Sequence, residues 1–228
     1  MGLACNACPV RDSAACSALD PDERTELARI GRTRRYARGQ MVFAAGADMD
    51  VCATLTEGLL KIRHIDGHGS ERILSLIHPA GFVGEMFAPV AHHDVVALTD
   101  SHLCMFPRRD YEAAVDRFPA LATALLRRSA ADLYDARAQI ALDSRRSAAA
   151  KLANLLLALA RAASHSPCHA AERFELPLTR GEMAGVLGMT IETVSRQLGT
   201  LERGGIIART GSRGIQVTGT AQLETLAG

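Results

Sequence analysis

The sequence predicts an α+β protein: an N-terminal antiparallel β-roll, then a long helix suited to dimerisation, then a winged helix-turn-helix. Three observations support this fold class. Short apolar runs alternate with glycine turns between residues 34 and 106, a helix with heptad spacing follows Pro119, and two short helices flank a glycine turn near the C-terminus. The predicted boundaries are 1–19 for a cysteine-rich loop, 20–117 for the roll, 118–144 for the long helix and 145–228 for the C-terminal domain.

The composition is that of a globular protein with an aliphatic core. Of the 228 residues, 48% are hydrophobic, but only 4% are aromatic and none is tryptophan. The net charge of +1 does not by itself indicate nucleic acid or a membrane surface, so any basic surface must be local. The chain shows no secretory signal and no apolar run of about 18 residues, so we expect a cytoplasmic protein with no membrane contact. In that reducing compartment the six cysteines are expected to act as thiols or metal ligands.

The roll is expected to follow a short helix over residues 20–27, which Asp20 caps and Pro21 opens. Strand-length apolar runs then alternate with glycine-centred turns, as in an antiparallel barrel or roll. These runs are residues 40–44, 53–56, 59–65, 72–78, 95–98 and 102–106.

A long helix is predicted from Pro119 to about Asp143, after a short helix over residues 109–115. Leu126, Leu133 and Ile140 recur at every seventh position, as the apolar seam of a coiled coil does. A helix of this length spans on the order of 35 Å, which is more than a small roll needs. We therefore expect these three residues to form a dimer interface; a core helix that packs only on its own domain is the alternative.

The segment 178–207 has the pattern of a helix-turn-helix. Thr179 is expected to cap the first helix and Thr190 the second, with a tight turn around Gly188 between them. A hairpin with a basic tip, a wing, follows over residues 206–217.

On the second helix, Glu192, Ser195 and Arg196 share the face opposite the apolar one. Arginine can donate two hydrogen bonds to guanine, and glutamate can accept one from cytosine, so this face predicts base reading in DNA. On an ordinary helix the same residues would form only a solvated Glu–Arg pair. Further DNA contacts are expected from polar and basic side chains nearby: Thr190, Arg180, Arg203, Arg209 and Arg213.

Three of the six cysteines lie in the first sixteen residues, as Cys5-x2-Cys8-x7-Cys16. Thiols crowded on a short terminal loop are typical of metal binding or redox chemistry. Four cysteine thiolates can hold a [4Fe–4S] cluster or a tetrahedral Zn²⁺. The dithiol of an oxidoreductase normally opens a helix after a strand, and no strand is predicted before Cys5, so we do not expect an enzyme.

A roll, a long dimer helix and a winged helix-turn-helix together resemble the CRP/FNR family of bacterial transcription regulators. The string TIETVSR at residues 190–196 is similar to the recognition helix of the FNR branch, where Glu, Ser and Arg read TTGAT half-sites. The resemblance implies that role for Glu192, Ser195 and Arg196, and an operator of the form TTGAT-N4-ATCAA. It also implies a roll like a cyclic-nucleotide-binding domain, a homodimer on double-stranded DNA, and contact with RNA polymerase.

Oxygen-sensing members of that branch hold a [4Fe–4S] cluster with three N-terminal cysteines and one from the roll. The stretch ALTDSHLCMFP, at residues 97–107, is similar to the family's pattern around the fourth ligand. The resemblance therefore implies the ligands Cys5, Cys8, Cys16 and Cys104, with molecular oxygen as the signal. The x7 spacing is similar to that of FNR-like regulators of alphaproteobacteria. Zinc, a thiol redox switch, haem and nitric oxide are the alternative modes of sensing.

Other conspicuous residues receive simpler interpretations. Gly84-Glu85 matches the start of a cyclic-nucleotide phosphate cassette, but no arginine follows to bind the phosphate, so we do not expect nucleotide binding. Cys52 is expected to be a buried apolar residue, Cys168 an exposed bystander, and the pair His92-His93 a surface feature.

Overall fold

The computed structural model describes residues 3–69, 71–143, 147–164 and 170–228, and the side chains of these residues except 135 and 138–143. The chain divides into two compact units, one up to Ala136 and one from Arg137. The predicted α+β class is confirmed, with a roll in the first unit and a winged helix-turn-helix in the second. Among the described helices, none has both the length and the apolar character needed to cross a membrane.

Helix α1 (Pro21–Ile30) opens the first unit, as the capping residues predict. The Asp20 carboxylate accepts hydrogen bonds from the backbone N–H groups of Asp22 and Glu23 at 2.9 and 2.8 Å. The Glu23 carboxylate accepts one from the Asp20 N–H at 3.1 Å, which completes a capping box. The helix extends three residues beyond the predicted end at residue 27.

The roll consists of two four-stranded antiparallel sheets. Its strands are β1 (Arg32–Tyr36), β2 (Met41–Phe43), β3 (Val51–Glu57), β4 (Leu60–Ile65), β5 (Glu71–Ile77), β6 (Phe82–Val83), β7 (Asp94–Ala97) and β8 (Ser101–Pro107). One sheet has the order β1-β8-β3-β6 and the other β2-β7-β4-β5. Fully buried side chains such as Leu55, Leu60 and Leu103 fill the space between them.

Six of these strands coincide with the predicted apolar runs to within two residues, but β1 and β6 do not. Four of the five residues of β1 are exposed, so the strand lacks the apolar alternation that predicts strands. Its pairing comes from β8, where Arg32 lies opposite Met105 and Tyr36 opposite Ser101. Strand β6 has only two residues and pairs with β3.

Helices α2 (Arg108–Arg117) and α3 (Pro119–Asp143) follow the roll. Tyr111 of α2 and Leu121 and Leu125 of α3 are buried in a cluster with Leu27 of α1 and Phe106 of β8. The start of α3 is therefore fixed to the roll by apolar packing. The bounds of α3 agree with the prediction of a helix from Pro119 to about Asp143.

The second unit contains α4 (Ala148–Ala162), β9 (Arg173–Glu175), α5 (Arg180–Leu187), α6 (Ile191–Arg203), β10 (Ile207–Thr210), β11 (Gly214–Val217) and α7 (Thr220–Ala227). The three strands pair in the order β10-β11-β9. Helix α4 packs on α6 and α7, and the Asn154 side chain donates a hydrogen bond to the Ala227 carbonyl at 2.8 Å. Sequence reasoning did not predict β9 and α7, which have only three and eight residues.

Candidate metal centre and nucleic-acid interface

The N-terminal segment, residues 3–19, lies against α1 and the roll. It contains two short 3-10 turns, Cys5–Ala7 and Ala15–Ala18. The Arg24 side chain donates hydrogen bonds to the carbonyls of Cys16, Ser17 and Leu19 at 3.2, 3.3 and 3.0 Å. The second turn is therefore fastened to α1 by one guanidinium group.

The structure brings the four predicted thiol ligands to one cavity. Cys5, Cys8 and Cys16 line it from the N-terminal segment, and Cys104 lines it from β8. All four side chains are half-buried and unbonded to one another. Cys104 is placed by sheet pairing, with Thr33 of β1 on one side and Thr54 of β3 on the other. Residues 88 positions apart in sequence thus face one space.

Burial makes these thiols hard to ionise in the absence of a cation. Desolvation, followed by the charges of the nearby Cys8, Cys5 and Cys16, raises the pKa of Cys104 to about 12. Burial also raises the pKa of Cys5 and of Cys16, while the positive charge of Arg24 acts in the opposite direction on both. A bound cation that stabilises the thiolates has to displace their protons, so occupancy of this site is expected to depend on pH.

The four thiols could bind either a single zinc ion or a [4Fe–4S] cluster. In the described part of the chain, no three His, Cys, Asp or Glu side chains converge closely enough for a single metal ion. Tetrahedral zinc, with Zn–S bonds of about 2.3 Å, needs its four sulfurs within about 4 Å of one another. A [4Fe–4S] cluster uses the same four thiolates but holds them around a larger body. The four thiols that line the cavity are the donor set that a [4Fe–4S] cluster takes.

Cys52 stands apart from this group. It is fully buried in β3, beside the backbone of Gly84, and burial raises its pKa to about 12. This environment agrees with the prediction of an apolar packing residue. The prediction for Cys168 falls outside the described residues.

Helix α3 leaves apolar side chains in solvent. Leu126 and Leu133 are 71% and 50% exposed, whereas Leu121 and Leu125 are buried. The exposed pair lies on the predicted seam. The side chain of Ile140, the third seam residue, is outside the described set.

The helix-turn-helix is α5, a turn and α6. Thr179 forms a capping box with Glu182 at the start of α5, and the Thr190 hydroxyl accepts from the Thr193 N–H at 3.2 Å at the start of α6. Gly188 ends α5 with φ +61°, a left-handed conformation that glycine adopts without strain. These local features fix the angle at which α6 leaves the turn.

The outer face of α6 carries the predicted base-reading residues. Glu192 and Arg196 are exposed, and Ser195 is half-buried and accepts a long hydrogen bond of 3.5 Å from Arg180. Among the ion pairs of the described residues, none joins Glu192 to Arg196. The alternative interpretation, a solvated Glu–Arg pair, is therefore not supported by the structure. Hydrogen bonds from the Glu192 backbone N–H and then from the Thr190 side chain lower the pKa of the Glu192 carboxyl group. Glu192 therefore remains a carboxylate acceptor at neutral pH.

Comparison with known proteins decides the family. A model of the cyclic nucleotide-binding domain matches residues 33–118, and one of the Crp-like helix-turn-helix domain matches residues 150–226. The transcriptional activator protein FnrL of Cereibacter sphaeroides is 36% identical over 98% of this chain and 92% of its own length. The chain belongs to the CRP/FNR family of transcription regulators.

A further relative agrees with that placement, and a solved structure has the same fold. The nitrogen fixation regulation protein FixK of Bradyrhizobium diazoefficiens is 30% identical over 99% of this chain and 94% of its own. The solved structure of FixK2 from Bradyrhizobium japonicum has a TM-score of 0.77 and 23% identity, and the match covers 87% of this chain and 98% of that one. As a CRP/FNR member the chain is a DNA-binding transcription regulator and not an enzyme, as the sequence predicted.

In this CRP/FNR regulator the arginines predicted to contact phosphates differ in the hydrogen bonds that they already make within the domain. Arg209 donates to the Glu202 carboxylate of α6, with its Nε at 2.8 Å, so it is already paired within the domain. Arg213 lies in the wing turn between β10 and β11 and is half-exposed. Arg203 contacts the Thr200 hydroxyl at 3.3 Å.

The segment that resembles the family's nucleotide cassette forms a contact within the chain. The Glu85 carboxylate accepts from the His92 backbone N–H at 3.1 Å and contacts the His92 ring. Both histidines lie in the bend before β7, where His92 is exposed, as predicted, and His93 is half-buried. The His93 ring lies 6.1 Å from that of His64, centroid to centroid, rather than at a metal site.

Sequence reasoning missed two contributors to the candidate metal centre. Arg24 was read only as a helix residue, and Thr54 only as part of a strand. Both line the cysteine cavity. Neither could be found from local pattern, because each meets the thiols through tertiary packing.

Proposed function

We propose that this regulator senses oxygen through a [4Fe–4S] cluster held by Cys5, Cys8, Cys16 and Cys104, and that the cluster controls dimerisation and DNA binding in the cytoplasm. The observation that carries the proposal is the convergence of four thiols from two distant segments on one cavity. When bound, the cluster would supply an oxygen-sensitive link between those segments. The naming of two relatives as FnrL and as the fumarate and nitrate reduction regulatory protein of Salmonella typhi supports the same assignment.

The chain's own residues provide the path from this cavity to the dimer helix. Ala15 and Cys16 pack against the cluster of buried side chains that contains Leu121 and Leu125 of α3. A change in the position of the N-terminal segment therefore alters the packing of α3. Leu126 lies on the exposed side of the same helix turn, so a change in this packing would alter the position of Leu126 in the proposed dimer seam.

The proposed dimer joins two copies through Leu126, Leu133 and Ile140. The exposure of the first two gives an apolar surface that pairing would remove from water. A two-fold dimer places its recognition helices about one DNA turn apart, which suits a palindrome of the form TTGAT-N4-ATCAA. Glu192, Ser195 and Arg196 would read the half-site, with Thr190, Arg180, Arg209 and Arg213 near the backbone, and RNA polymerase would be the partner of the bound dimer.

The test is the metal content of protein purified without oxygen. We expect a brown protein with about four iron and four sulfide per chain, as the ligand set of a [4Fe–4S] cluster requires. Cys104→Ala should abolish the chromophore, and its matched control Cys168→Ala should retain it. A colourless protein with one zinc per chain would contradict the proposal, as would equal losses in the two variants.

A further inference from the structure

A second pocket lies beside the cysteine cavity and opens to solvent. Its volume is about 390 Å³, within the range of small-molecule sites. The N-terminal segment, the roll and the first half of α3 form its walls, including Ala14, Ser17, Thr54, Phe82, Ala124 and Arg128. All of these residues belong to the first unit.

Two residues, Ala14 and Thr54, line both the open pocket and the cysteine cavity. Ala14 is 2% exposed and packs with Val10 and Ala80, next to Cys8 and Cys16. Thr54 is 8% exposed and lies opposite Cys104 in the β3–β8 pair. At each of these two positions, a single small side chain therefore separates the open pocket from the cysteine cavity. We call these two side chains the partition.

The rest of the cavity wall is mixed. Leu27, Phe106 and Tyr111 contribute large side chains from helices and a strand, all at least 96% buried, whereas Arg11 is exposed and Leu3 is half-buried. Ala14 instead sits in a loop held by local bonds, from its own N–H to Val10 at 2.9 Å and from Ser17 to its carbonyl at 2.8 Å. A small displacement of this loop opens the partition without breaking a sheet or a helix.

We propose that the open pocket is a route by which small uncharged molecules, dioxygen among them, reach Cys16 and Cys104, and that Ala14 and Thr54 set the rate of passage along it. The inference rests on the proposed function, since it takes the four thiols as one site. It adds a residue-level determinant of how fast that site responds.

The test measures access directly, on reduced protein without metal. Alkylation of Cys16 and Cys104 by iodoacetamide is followed by mass spectrometry at one fixed pH. Ala14→Val should slow it about tenfold, equivalent to a barrier higher by about 1.4 kcal/mol. The matched control is Ala114→Val, the same change at a buried position of α2 that lines neither the cysteine cavity nor the open pocket. Its rate should stay that of the wild type.

Two further variants keep the result decisive if Ala14→Val folds poorly. Thr54→Ala thins the partition and should accelerate alkylation, while Ala124→Phe fills the open pocket from α3 and should slow it. Unchanged rates in both, or slowing by Ala114→Val equal to that by Ala14→Val, would overturn the route. Iron and sulfide content is measured separately, so absence of a cluster would refute the proposed function without altering these alkylation rates.

Discussion

Among single residues, Arg24 has the widest influence on the candidate metal centre. Its guanidinium fastens three backbone carbonyls of the N-terminal segment, and its charge favours the thiolate forms of Cys5 and Cys16. Four thiolates in a half-buried cavity repel one another, and one nearby cation offsets part of that repulsion. The residue thus acts on both the shape and the charge of the site.

Cys52 allows a prediction about pH. Burial raises its pKa from about 9 to about 12, so the folded state holds this proton more tightly than the unfolded chain does. Its contribution to stability is complete below about pH 9 and is lost as the pH rises toward 12. In reduced protein, Cys52→Ala should therefore flatten the alkaline fall in the free energy of unfolding by up to about 1.4 kcal/mol per pH unit.

Urea unfolding of the wild type and Cys52→Ala across the alkaline range measures this slope. Cys168→Ala, which removes a thiol predicted to be exposed, should keep the slope of the wild type. Identical slopes for the wild type and Cys52→Ala would show that Cys52 ionises normally in the fold.

At the scale of elements, hydrogen bonds and an ion pair connect α6 to the wing. Glu202, near the end of α6, holds Arg209 of β10, and the Ile206 carbonyl accepts from Thr218 and Gly219 after β11, each at 3.0 Å. The recognition face and the wing turn are thereby kept at a fixed separation. Base reading and backbone contact are expected to be divided between them.

That division predicts different effects for two arginines. Arg196→Ala should weaken binding to a TTGAT-N4-ATCAA duplex by about 1–3 kcal/mol per half-site and reduce discrimination against duplexes altered at guanine. Arg213→Ala should weaken binding to all sequences alike and lower the slope of log affinity against log salt by about one per chain. Fluorescence anisotropy over a salt series separates the two; sequence-independent loss in Arg196→Ala would contradict its assignment.

The predicted and missed elements differ in a physical way. Helices α1, α3, α5 and α6 were predictable because caps, heptads and turn residues are local. Strand β1 owes its existence to β8, about 70 residues later, and its own residues are mostly charged. The same holds at the site: the cysteines are conspicuous in sequence, whereas Arg24, Ala14 and Thr54 reach them only through packing.

For the whole molecule, α3 is the element that the two units share. It begins in the first and ends in the second, and its 25 residues span about 37 Å. Its buried face anchors it to the roll, while Leu126 and Leu133 remain in solvent. An apolar stripe of this kind on a long helix is typical of an interface between copies.

Leu133→Glu tests that interface. Two carboxylates facing each other across the seam should favour the monomer, shown by sedimentation velocity, and should weaken binding to the full palindrome. Ala131→Glu places the same charge on an exposed position nearly opposite on the helix and should leave the dimer intact. A dimeric Leu133→Glu protein would exclude this seam.

The contact between Glu85 and His92 has a consequence for the repertoire of this regulator. In a domain built around a phosphate cassette, a free carboxylate and an open bend are what a second messenger would engage, and here both are tied to each other. Binding of a cyclic nucleotide at this cassette would therefore require the loss of that contact as well as the gain of an anion-binding arginine.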